Sequence, residues 1–251
     1  MTPDKRHKLR LWLFALDRFE RKRFGKAGKA RNNFIRQAAD SYANGVDLPA
    51  HLLTAHQKKI ASILSAHYQQ VIPYFGQFTL QQVKSRRIER KAFDNFFLSL
   101  MSEWANRQAL THAKMIAATD RDDVMAAITK GLEEGLGTAD IARAIRKASQ
   151  LTPVRASTIA RTETHQAATY ASSQAAQQAE QDFGIRLMKE WLPTLDSRTR
   201  PDHAAMVNHP PIPLNEQFSV GGESMDRPGD PSASTENLVN CRCSIAFIEA
   251  E

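Results

Sequence analysis

Apolar residues recur at helical spacing along most of this chain and change to alternation only near its end. Leu9, Trp12, Leu13, Leu16 and Phe19 are separated as i, i+3, i+4 and i+7, which predicts an amphipathic helix over Leu9–Phe24. Gly25 and Gly28 interrupt the pattern, so a second, basic helix is expected from Lys29 to Tyr42. Asn44-Gly45 signals a turn, and Pro49 suits the first turn of a third helix, His51–Ile72, closed by Pro73 and Gly76. From Phe78 to about Thr119 there is neither Pro nor Gly, which predicts one long helix. Its aromatic stripe, Phe93, Phe96, Phe97, Leu100 and Trp104, reads as core. Asp120-Arg-Asp-Asp123 reads as the acidic start of the next helix, Val124–Glu134, which Gly135 and Gly137 end. Thr138 can cap Ala139–Ser149, and Pro153 opens a helix to about Gln181 whose second half is rich in Ala and Gln. After Gly184 two strands are expected, Arg186–Leu192 and Ser244–Ile248, with Pro- and Gly-rich loops between them.

The fold class that follows is mainly α, with long N-terminal helices and a small α+β C-terminal domain whose small sheet lies near the C-terminus. The change of character near residue 120 divides the chain into a helical region, 1–119, and a second domain, 120–251. A hydrophobic share of 42% allows a buried core. No stretch approaches the ~18–20 apolar residues that span a bilayer, so no membrane span is expected. The short run Leu11–Leu16 is followed by charged residues rather than a small-residue cleavage site, so no secretory signal is expected. Two cysteines separated by one residue make no disulfide framework and suit a reducing compartment.

Charge changes the picture at one end. The chain carries a net +7, but residues 1–31 hold eleven Lys/Arg against three Asp/Glu, while the remainder holds 23 against 24. A basic end fits a nucleic acid, an acidic protein groove or an anionic surface as partner, and equally a solvated helix face.

Candidate chemistry gathers in Asp196-Ser-Arg-Thr-Arg-Pro-Asp-His203 and Asn240-Cys-Arg-Cys243. Asp196, Asp202, His203, His209, Cys241 and Cys243 are all metal-ligating residue types, yet no second Cys pair completes a compact finger. On a strand, Cys241, Cys243, Ile245 and Phe247 would share one face, placing both thiols among core residues. The sequence therefore assigns no catalytic, cofactor or metal residue, with zinc at His203, Cys241 and Cys243 as the candidate exception. Asp196 and Arg198, with Arg200 and Asp202, can instead form a hydrogen-bonded loop clamp, and Asn240 can close the turn before the last strand. Asp202 with His203 offers acid–base groups, but no nucleophile motif accompanies them. Arg161 and His165 share one helix face with Glu163 roughly opposite, which reads as a buried Arg–carboxylate network. His51, His56 and His67 read as structural. His56 and His67 would sit ~16 Å apart along a helix, too far to share an ion.

Ala160-Arg-Thr-Glu163, Glu190-Trp191, Asp196-Ser-Arg-Thr-Arg-Pro-Asp-His203, Phe218, Pro228-Gly-Asp-Pro231 and Asn240-Cys-Arg-Cys243 together resemble, in order, the phage head-morphogenesis domain of Mu F-like minor head proteins. The resemblance covers about residues 120–249. Its motif positions here are Arg161, Glu163, Trp191, Asp196, Arg198, Arg200, His203, Asn240, Cys241 and Cys243. It implies a non-enzymatic minor capsid protein of a tailed phage or prophage. Such a protein would associate with the portal inside the virion head and act in assembly or in DNA packaging and ejection. The host cytoplasm would hold it during assembly. Relatives carry extra cysteines near the Asp-x-Arg-Thr motif, which in them suggests a metal site; here Arg200, Pro201, Asp202 and His203 hold those places. The basic N-terminus would suit packaged DNA. The alternatives are a metal-dependent hydrolase or nuclease built on Asp196, Asp202, His203, Cys241 and Cys243, and a nucleic-acid-binding module with no head role.

Overall fold

The computed structural model describes residues 1–83, 99, 101–148 and 152–250. Long helices come first: α1 (Pro3–Ala43), α2 (Ala50–Gln82), a π-helical turn at Met101–Ala105, α3 (Asn106–Glu133), α4 (Thr138–Ala148) and α5 (Thr152–Phe183). The remainder is β1 (Leu187–Leu192), α6 (Pro201–Ala205), β2 (Ile212–Pro213), β3 (Phe218–Val220), β4 (Glu223–Met225), α7 (Thr235–Leu238) and β5 (Ser244–Glu249). The mainly helical class with a small C-terminal sheet is thus observed. No helix among the described residues is long and apolar enough to cross a membrane.

Three helix boundaries differ from the pattern. Gly25 and Gly28 lie inside α1, which is continuous. An interior glycine costs only about 1 kcal/mol relative to alanine. Burial on both sides of the pair outweighs that, with Leu9, Trp12, Leu16 and Phe19 before it and Phe34, Ile35, Ala38 and Ala39 after it. Pro73 likewise does not close α2, because Val71, Ile72, Phe75 and Leu80 on both sides of it are buried. Asp120 and Asp123 start no helix: they lie in mid-α3, where the cations they meet explain the acidic run. Of the long helix expected over 78–119, residues 84–98 and 100 lie outside the described residues, and with them Phe93, Phe96, Phe97 and Leu100. Trp104 of that stripe is buried.

The described chain forms two compact units. One comprises Met1–Glu20, Tyr68–Met101 and Arg161–Glu251, the other Arg21–His67 and Ser102–Ala160. In the second unit, Phe34, Ile35, Ala38 and Ala39 pack with Val124, Ile128, Ile141 and Ile145. Beneath that core Asp120, fully buried, accepts from Arg31 Nε at 2.9 Å and faces His56 Nε2 at 2.8 Å, and His56 is stacked on Phe34. His56 is therefore structural, as its spacing predicts.

In the first unit, Trp12 meets Phe75 and Phe78 edge-on, with ring centroids 4.5 and 6.1 Å apart. Ala167, Ala168, Ala171, Ala175, Ala176 and Ala179 of α5 are all buried, around about half the helix circumference at ~100° per residue. The sheet is antiparallel in the order β2-β1-β5, with β1 paired along its whole length from Leu187↔Glu249 to Leu192↔Ser244. β3 and β4 form a separate hairpin closed by Gly221 and Gly222, whose φ values of 59° and 81° are what a two-residue primed turn requires.

Candidate functional site

The motif residues converge in the first unit, where α5, β1, α6 and the loop before β5 hold one another. Cys241 and Cys243 do not lie on the strand: β5 begins at Ser244, and the tripeptide before it is irregular. The alternation that would have lined both thiols up with Ile245 and Phe247 therefore stops one residue short of them.

What shapes this loop is a set of side-chain bonds to its backbone. Asn240 adopts φ 59°, a left-handed conformation that asparagine tolerates better than most residues. Its side-chain oxygen accepts from Arg161 Nη1 at 3.0 Å, and its N–H donates to Thr162 Oγ1 at 3.2 Å. Arg200 Nη2 donates to the Val239 carbonyl at 2.6 Å, and Thr194 Oγ1 to the Arg242 carbonyl at 2.7 Å. His165, fully buried, donates from Nε2 to the Cys243 carbonyl at 2.7 Å. Burial pushes the His165 pKa down, so the ring is neutral with its proton on Nε2. Its Nδ1 faces Gly229 so closely that a Cβ there would approach to 2.6 Å. This is why the Pro228-Gly-Asp-Pro231 stretch carries glycine. Asp230 ties the same stretch by accepting from the Asp226 and Ser232 amides at 2.7 and 3.0 Å.

The loop clamp exists with a different arginine. Arg242 grips the Asp196 carboxylate with two bonds of 2.6 and 2.7 Å, and the Arg198 amide donates to it at 3.0 Å. The Arg242 guanidinium, more than any other group, holds the Asp196 pKa well below the usual carboxylate range. The Arg198 side chain is exposed and stands 3.9 Å from Asp196, and Arg200 bonds backbone instead. Arg161 pairs with Glu20 at 3.5 Å, while Glu163 accepts from the buried Tyr68 hydroxyl. The Arg–carboxylate network is thus split between two partners distant in sequence. Arg242 was discoverable from its place between two cysteines that face the other way. Glu20 and Tyr68 lie 141 and 95 residues from their partners, and nothing local marks them.

Inside this frame, His203 of α6, Cys241 and Cys243 come together. All three are buried, and their ligating atoms lie within 4.8 Å of one another. His203 Nδ1 is 3.6 Å from Cys241 Sγ and 3.5 Å from Cys243 Sγ. The Cys241 thiol is pushed up chiefly by its hydrogen bond to Cys243, and the same bond holds the Cys243 thiol down. Trp191 closes the cluster, its buried ring meeting His203 at 84° and 5.5 Å and Phe218 at 81° and 5.5 Å. Asp202 and His209, also candidate ligands, stand outside the group. Asp202 is exposed against Gly221, and His209 Nδ1 bonds the Pro210 carbonyl at 2.7 Å.

Comparison with known proteins bears on these same residues. A model of the family described as Phage Mu protein F like protein matches residues 122–246. The chain is 30% identical over 128 residues to the minor head protein GP7 of Bacillus phage SPP1, covering 51% of this chain and 40% of that protein. It is 32% identical over 117 residues to the NAD(+)--arginine ADP-ribosyltransferase EFV of Enterococcus faecalis, covering 47% of this chain and 23% of that protein. The chain thus spans less than half the length of either relative. No solved structure matches. With the ordered motifs folded into one knot of mutual bonds, residues 122–246 are a Mu F-like head-morphogenesis domain.

Proposed function

We propose that this chain is a non-enzymatic minor head protein that associates with the portal inside the phage head and acts in head assembly or in DNA packaging and ejection. The observation that carries the reading is the use its motif residues make of one another. Arg161, Asn240, Asp196, His165 and Glu163 are each bonded to protein partners, so the domain's polar residues serve its shape. The minor head protein of phage SPP1 supports the setting, at the coverage given above. Host cytoplasm before assembly and the head interior afterwards are the places this reading assigns.

Mass spectrometry of purified particles from the source phage or induced prophage tests it. Peptides from this chain at low copy relative to the major capsid protein, and co-purification with the portal from lysates, are the expected result. Absence from both particles and portal complexes would sink the proposal.

A second reading, a metal-dependent hydrolase or nuclease, draws on the convergence of His203, Cys241 and Cys243. The burial of all three argues against it, because a catalytic metal must reach substrate. The ADP-ribosyl transfer named for the Enterococcus protein belongs to a chain of which this match spans 23%. Incubation of the full chain with NAD+ and arginine, and with DNA and zinc, is expected to yield no product. Turnover in either assay, lost in His203→Ala, would replace the structural reading with an enzymatic one.

A further inference from the structure

We propose that His203, Cys241 and Cys243 form a zinc site that staples the loop after β1 to the loop before β5. The distances match the ion. With Zn–S near 2.3 Å and Zn–N near 2.0–2.1 Å, a tetrahedral site separates sulfur from nitrogen by about 3.5–3.6 Å. His203 Nδ1 lies 3.5 and 3.6 Å from the two sulfurs. A single Nδ1 lone pair accepts one S–H, so hydrogen bonding to the ring would hold one of the two equally near sulfurs and leave the other to its fellow thiol, whereas an ion would hold both. Among the described residues His203 Nε2 has no hydrogen-bond partner, and an ion on Nδ1 would place the ring proton there.

Charge points the same way. Two thiolates and a neutral imidazole cancel the charge of Zn2+, so the loaded site can sit beneath Trp191 without the cost of burying a net charge. The backbone is organised for it. Arg200, Thr194, His165, Arg161 and Thr162 each bond the segment from 239 to 243, fixing both sulfurs before any ion arrives. Among the described residues no further His, Cys, Asp or Glu joins the group, so these three would be the ion's side-chain ligands. The ion would then fasten a region with little regular structure, in which the segment from Pro193 to Cys243 holds only short strands and helical turns.

The test uses the full chain, purified under reducing conditions without chelating resin. Elemental analysis after equilibration with zinc is expected to give one ion per chain. Exchange for cobalt(II) is expected to give a thiolate-to-cobalt charge-transfer band in the near ultraviolet and strong tetrahedral bands in the visible. His203→Ala and the double variant Cys241→Ser/Cys243→Ser should weaken zinc binding beyond the ~10–100-fold that changes in surrounding residues produce. Substoichiometric zinc in the wild-type chain, cobalt spectra without the thiolate band, or a folded double variant that binds like wild type would each overturn the site. Should the variants not fold, the wild-type cobalt spectrum decides. These readouts need no phage particle, so the site and the head role stand or fall separately.

Discussion

Asp120 shows how much can rest on one side chain. Its buried carboxylate faces Arg31, His56 and Arg155, and Asp123 shares Arg31 at 2.7 Å and is itself partly exposed. Asp120→Ala would leave the buried Arg31 guanidinium with only the partly exposed Asp123, and a loss of about 3 kcal/mol is expected in chemical denaturation. Asp123→Ala, at the wetter end of the network, should cost about 1 kcal/mol or less. Asn240 poses a backbone question instead. Asn240→Gly should be close to neutral in conformation, whereas Asn240→Ala meets the left-handed penalty and also loses the Arg161 bond, about 2 kcal/mol together. A thermal melt of the two variants separates these contributions. Asp196 gives the pH dependence. Its folded pKa is depressed, so the stability it contributes is present above the ordinary aspartate range near 4 and is lost as pH falls below it. In acid titrations run with chelator, Arg242→Gln should be less stable at neutral pH and should lose less on acidification. An unchanged acid profile would show that the pair is not what the pH acts on.

Among the elements, α3 and α4 meet where a glycine makes room. A Cβ on Gly131 would come within 2.5 Å of Ile141 Cγ1, and Ile141 is in the core. Propensity alone says Gly131→Ala should stabilise α3 by about 1 kcal/mol, but overpacking of this kind costs about 1–3 kcal/mol, so net destabilisation is expected. A denaturation midpoint above wild type would mean that the two helices slide apart at little cost. The same balance explains what the sequence made legible. β1 and β5 were readable to within a residue or so, because turn residues bound them, whereas β2, β3 and β4 fall in the stretch read as loop. Helix ends were not readable, since Gly25, Gly28 and Pro73 are local signals overruled by burial on both sides of them. Asp120 misled for the converse reason: an acidic run resembles a helix start until the arginines it meets are known. In the site, Arg161, Asn240 and Asp196 were legible as polar anchors and Arg242 was marked by its place between the cysteines, but Glu20 required the fold.

Taken as a whole molecule, the chain does not keep its basic end apart as an arm. Leu9, Trp12, Leu16 and Phe19 belong to the core, Lys5 pairs with Glu190, and Arg31 is buried against Asp120 and Asp123. Among the described residues of this end, Arg6, Arg10, Arg18, Arg21, Lys26 and Lys29 are exposed. Truncating residues 1–31 should therefore unfold the protein, and the informative variant is Arg6→Gln/Arg10→Gln/Arg18→Gln. If this face meets DNA, the slope of log affinity against log salt should flatten by about 0.9 for each lost phosphate contact. A variant with the wild-type slope would remove DNA from the role assigned to this end.

The first unit draws on Met1–Glu20, Tyr68–Met101 and Arg161–Glu251. On the ribosome these pieces emerge far apart in time. At about 5–20 residues per second, some 7–28 seconds separate the synthesis of Glu20 from that of Arg161. Throughout that interval Trp12 can meet Phe75 and Phe78 of α2, but Lys5 and Glu20 lack their partners Glu190 and Arg161, which a chain cut short before Arg161 would never supply. Premature termination should thus yield a sticky, rapidly degraded product rather than a working N-terminal fragment. Chaperone demand should fall on the nascent chain, before the first complete molecule is released.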